Sequence, residues 1–166
     1  MSDVGLLFVR TTVGYFIASH GLPKMRDHDC QYAKSFEGLG FHPGARFVSR
    51  AAKAETSSAV LIGLGLFGPL GPMLLFSDMI VAIGAVSARE KTFEPSKHEI
   101  EILYAAIAVL LTLSGPGRFS ADRALGMTFL DKPWLRCVSL GTAAAGAVFI
   151  LNQRHDDNEA AAEASH

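Results

Sequence analysis

The chain has 166 residues, room for one domain of ordinary size, with 49% hydrophobic residues before its 16 glycines are counted. Charged residues make up 19%, against about 25% in soluble domains. With 16 acidic and 15 basic side chains and only two cysteines, it is no disordered tail, coiled coil, disulfide scaffold or nucleic-acid binder. A protein of the bilayer is the class that remains.

Val4 to Leu22 is apolar or small apart from Arg10 and His20, and 19 residues rise about 28 Å as a helix, close to a hydrocarbon core of about 30 Å. Asp3 precedes the run, and no small-residue cleavage site follows it, so it reads as a retained span and not a signal peptide. The segment from Pro23 to Arg46 carries charges, glycines and the aromatic pair Phe36 and Phe41. It is expected to be partly helical and to lie against the bilayer. A second span from Phe47 to Phe67 ends before Gly68, Pro69, Leu70, Gly71 and Pro72, which break a helix. A third span covers 72–89, a polar insertion Arg89 to Glu99 follows, and a fourth span covers 98–114. Gly115 to Arg118 is expected to form the turn that stops it. After Trp134, an interfacial residue, an Ala- and Gly-rich run predicts a further membrane-embedded helix over Pro133 to Leu151, placed against a partner more than in the main core. Residues 153–166 read as an acidic, solvated tail. The organisation is thus a transmembrane bundle over 1–127, an added helix over 128–152 and that tail.

Cytoplasmic loops hold an excess of Lys and Arg. Of the 15 in the chain, ten fall on one side, four (Arg118, Arg123, Lys132 and Arg136) on the other, and Arg10 inside. The N-terminus is therefore expected outside, with Cys30 and Cys137 on opposite sides and not bridged.

Ionisable groups inside spans are costly and mark either a function or a structural pair. Arg10 and Asp78 come out at about equal depth, 9 and 8 Å from the outer end, which predicts a structural ion pair. By the same measure Tyr15 is level with Glu55, and His20 lies near Glu101. One reading of Tyr15, His20, Glu55 and Glu101 is a polar axis that hydrogen-bonds a quinone head group or relays protons. The other reading is polar glue that fixes helix register and touches no ligand.

Other constellations carry less. His20, His28, Cys30 and His42 fit no zinc or haem spacing, so no metal site is expected. Gly63, Gly65 and Gly68 do not open a helix after a strand, and no arrangement suits a hydrolase.

Arg10 with Gly14, then His20, Gly21 and Lys24, then Phe36, Gly38 and Gly40, then Glu55, and finally Gly115, Pro116, Gly117, Arg118, Ser120 and Asp122 resemble the DoxX family of small integral membrane proteins. The resemblance runs from about Leu6 to Leu125. It implies an all-α, four-helix membrane bundle in a bacterial cytoplasmic membrane, often linked to redox processes. Name-giving members belong with a thiosulfate to quinone oxidoreductase. Asp78 and the segment from Thr128 onward depart from the family's pattern. The function implied is a subunit of a membrane redox or respiratory assembly, adjacent to quinone, with lipids and other membrane subunits as partners and no tightly bound cofactor. The competing reading is a non-catalytic scaffold that stabilises a larger membrane complex. A transporter has no support from paired broken helices.

Overall fold

The computed structural model describes residues 2–26, 30–130 and 132–154, and among these it is helical with no strand. The helices are α1 (Asp3–Met25), α2 (Gln31–Glu37), α3 (Gly44–Leu64), α4 (Leu70–Glu90), α5 (Glu99–Ser114), α6 (Ala121–Ala124) and α7 (Pro133–Leu151). Each expected span has its helix. α3, however, lies three residues earlier at both ends than the expected 47–67. It stops where Gly65 turns left-handed at φ 63°, a conformation that favours glycine. The turn continues through Phe67 and Gly68, also at positive φ, and α4 starts at once. At the far end of α5, Gly115 and Gly117 take positive φ on either side of Pro116, giving the expected stop.

α1 packs along α3, α3 along α4, and α4 also along α5 and α7. The shared core contains Leu6, Val13 and Ile17 of α1, Ala59 and Ile62 of α3, Leu75 and Met79 of α4, and Ala108 and Leu111 of α5. A second core forms where Phe36, Phe41 and Phe47 stack near Ala85, Ile150 and Leu151. Phe41 is 1% exposed, so the aromatic pair of the first insertion turns inward onto Phe47. It plugs one end of the protein, where three rings bury more apolar area against each other than one surface helix offers.

α7 packs on the chain's own α4, while its Trp134, Val138, Val148 and Phe149 remain exposed. Ala143 and Ala147 are buried, and Leu151 reaches into the notch left by Gly84, where a Cβ would come within 2.6 Å of Leu151 Cδ1. The small-residue face thus closes on the chain's own α4, the close approach that such residues permit. Beyond it, Arg154 Nε donates to the Leu39 carbonyl at 2.6 Å. The remainder of the acidic tail, from His155, lies outside the described residues, as does His28.

Two helices, α4 and α7, are long and apolar enough to cross a membrane. α1 carries Arg10 and Lys24, α3 carries Arg46, Arg50, Lys53 and Glu55, and α5 has 16 residues.

Candidate functional site

Two glycines set the seam between α1 and α3. A Cβ on Gly14 would lie 2.8 Å from the Ala59 carbonyl oxygen, and one on Gly21 would lie 2.7 Å from Thr56 Oγ1 and 3.0 Å from Glu55 Cβ. The backbones meet more closely than any larger residue allows. This register carries Glu55 past Gly21 toward the end of α1. There Lys24 Nζ donates to Glu55 Oε1 as an ion pair. The His20, Gly21 and Lys24 stretch therefore has a physical reading: Gly21 brings the helices together and Lys24, one turn on, meets the carboxylate.

Glu55 is 5% exposed, and its second oxygen, Oε2, is buried without a donor. The group next to it is the carboxyl of Asp78 from α4, within hydrogen-bonding range of Glu55 and close to Lys24. One ammonium and two carboxyls from three helices form a cluster in which Glu55 is buried and Lys24 and Asp78 are partly buried.

The cluster stands on the wall of a cavity of about 370 Å³ between α1, α3, α4 and α5. Most of the lining is apolar, with Ile17, Leu74, Met79 and Val86 along the sides and Phe36, Phe41, Phe47 and Ile150 toward the plugged end. Polar groups at its edge are His20, Arg50, Ser77, Glu101 and Tyr104. A chamber of this kind suits an amphipathic molecule with a flat apolar body and a polar oxygen.

Of the expected polar axis, His20, Glu55 and Glu101 line this one cavity. Tyr15 does not. It is 72% exposed and stacks edge-on against Phe16, with ring centroids 5.5 Å apart. Gly14 occupies the seam with α3, and the next residue on a helix is turned about 100° away, so Tyr15 faces outward. Depth alone matched it to Glu55; the glycine register did not.

The expected pair of Arg10 and Asp78 is likewise replaced. The Arg10 guanidinium donates to the Pro116 carbonyl and, at 2.5 Å, to the Phe119 carbonyl, with the Asp122 carboxylate supplying the attracting charge. Residues 115–122 fold back over the end of the bundle, so Arg10 finds acceptors there before it reaches the level of Asp78. Asp122 completes the end by accepting from the backbone N–H of Phe67 at 2.8 Å and Gly68 at 2.5 Å, while its own N–H donates to the Gly65 carbonyl at 3.1 Å. Ser120 Oγ accepts from Arg123 N–H at 3.2 Å and donates to Gly117 at 2.7 Å. The Gly115 to Asp122 motif is thus a clasp joining α1, the α3–α4 turn and the chain after α5.

Sequence reasoning placed Lys24 and Asp122 in motifs without giving either a role. The signal for Lys24 was its position one turn beyond Gly21, and for Asp122 its place behind a Ser that caps the next turn. Among the described residues no three His, Cys, Asp or Glu side chains come together as a metal set. Cys30 and Cys137 are both free and exposed. His98 is buried, with Nε2 3.2 Å from Ser87 Oγ and its ring stacked on Phe93, away from the cavity.

Compared with known proteins, the chain matches the DoxX family model over residues 5–88, half of its length, from the start of α1 nearly to the end of α4. The match contains Gly14, Gly21, Lys24, Glu55 and Asp78, and it ends before the clasp segment. No curated protein and no solved structure matches.

Proposed function

Because the chain belongs to the DoxX family of membrane proteins, we propose that it is a membrane-embedded subunit of a redox or respiratory assembly whose cavity admits a quinone head group. The observation that carries this reading is the coincidence of an apolar chamber of about 370 Å³ with the cluster of Lys24, Asp78 and the buried Glu55 on its wall. A quinone needs both, an apolar slot for its ring and a polar group for its carbonyl oxygens. In this reading α1, α3, α4 and α5 cross a bacterial cytoplasmic membrane as a bundle with α7 beside α4, the N-terminus outside. The charges of α1 and α3 are tolerated because they face protein or the ends of the bundle. Lipids and other membrane subunits are its partners. In this reading the redox centre belongs to a partner.

Purification of the full chain with its associates in mild detergent, followed by quinone extraction, tests this. Quinone and a redox partner are expected, and a lone polypeptide with neither overturns it. A second reading, a non-catalytic scaffold, is favoured by the clasp, whose polar groups are spent on holding turns. Glu55→Gln separates the two. A quinone or proton role predicts intact assembly with lost turnover, whereas a scaffold predicts altered assembly with normal turnover per assembled complex.

A further inference from the structure

We propose that Lys24, Glu55 and Asp78 form a one-proton site, in which the two carboxyls hold a single proton between them and the cluster as a whole is electrically neutral. Lys24 is committed to Glu55 Oε1, which leaves Oε2 buried with no donor. The neighbouring group is a second carboxyl, Asp78. Two carboxylate oxygens that face each other hydrogen-bond only when a proton lies between them. Without that proton the cluster carries one unbalanced negative charge against an apolar wall, which is expensive. Two carboxyls sharing one proton is the known outcome when like charges are forced together.

The other titratable groups around the cavity do not supply the missing positive charge. Arg50 of α3 is exposed, lies over the Phe47 ring at 5.4 Å from its centroid and donates to Gln153 at 3.3 Å. His20 of α1 is exposed. Glu101 of α5 adds negative charge, and Tyr104 of α5 is a neutral hydroxyl. The proton remains the smallest cation that fits the space.

Such a site defines a ligand class, which deepens the quinone reading and rests on it. A neutral molecule with an acceptor oxygen meets a donor at Asp78, while an anion meets two carboxyls. The proton itself is tested without any ligand. Infrared spectroscopy of the full chain in detergent near neutral pH reads the C=O stretch of a buried protonated carboxyl. The wild type is expected to show one such band, sensitive to deuterium exchange. Asp78→Asn should abolish it, because the Lys24 and Glu55 pair left behind is neutral by itself, and Asp78→Glu should keep it. A wild type without the band, or a band that survives in Asp78→Asn, overturns the inference. If Asp78→Asn does not fold, the wild-type band and Asp78→Glu decide. Failure of decylubiquinone to bind a wild type that shows the band rejects the quinone reading alone, and the proton site stands.

Discussion

Arg10 donates to the backbone carbonyl of Pro116, 106 residues along the chain, so the first helix is held by a loop formed near the other end of the sequence. Loss of the guanidinium leaves the Pro116 and Phe119 carbonyls without their donor and removes the positive charge near the Asp122 carboxylate, at about 1 to 3 kcal/mol for each unsatisfied buried group. Arg10→Leu is therefore expected to reduce folded yield and thermal stability strongly. Because Asp78 belongs to a different cluster, adding Asp78→Leu should not rescue it. The two losses should add to within about 0.5 kcal/mol, as for sites with no shared partner. Recovery in the double variant, measured by thermal unfolding in detergent, would restore the Arg10 and Asp78 pair.

Lys24 and Glu55 are the pair that should show coupling. Breaking one half of a buried pair costs roughly 3 to 5 kcal/mol, while apolar replacement of both is often tolerated. Lys24→Met and Glu55→Leu are each expected to destabilise, and the double variant to recover part of the loss. Strict additivity in this cycle would show that the ion pair contributes nothing to the fold.

Gly14 and Gly63 face each other across the α1–α3 seam and should respond differently to the same change. A Cβ on Gly14 meets the Ala59 carbonyl at 2.8 Å, whereas one on Gly63 meets nothing within 4 Å. Gly14→Ala is expected to lower the melting temperature by several degrees by pushing the helices apart. Gly63→Ala should be neutral or raise it, since alanine favours a helix over glycine by up to about 1 kcal/mol. Equal effects of the two would mean that the seam is not where the glycines place it.

Orientation can be read through the two free, exposed thiols. Cys30 lies just beyond the C-terminal end of α1, and Cys137 lies in the first turns of α7, beside Arg136, whose Nη1 donates to the Leu113 carbonyl at the end of α5. With the N-terminus outside, a membrane-impermeant maleimide added to intact cells should label Cys137 and spare Cys30 until the cells are opened. The reverse pattern would invert the topology.

The helices themselves were legible because their signals are local: apolar length, a Gly-Pro break after Phe67, Gly115 at the end of α5. Helix ends were read less well. Pattern carried α3 to Phe67, but the left-handed Gly65 stopped it three residues sooner. Partner pairs between helices were not legible. The motif contains Gly21 and Lys24 but does not name Glu55 as the partner of Lys24, and equal depth, used for Arg10 with Asp78 and for Tyr15 with Glu55, says nothing about which face a side chain occupies. Nothing in the local sequence near Arg10 announces that residues 116–122 will fold back over it, because a contact across 106 residues leaves no periodicity to read.

That same long reach gives the protein an order of completion. A chain emerging from its N-terminus presents Arg10, and can zip α1 against α3 through Gly14 and Gly21, well before Pro116, Phe119 and Asp122 have been synthesised. During that interval the guanidinium has none of its final acceptors and must borrow water, lipid phosphate or the insertion machinery. The α3–α4 turn likewise waits for the carboxylate that receives Phe67 and Gly68. The last loop to arrive is what licenses the first helix to settle, so a ribosome halted just after α5 should leave a nascent product that quality-control proteases still recognise as unfinished.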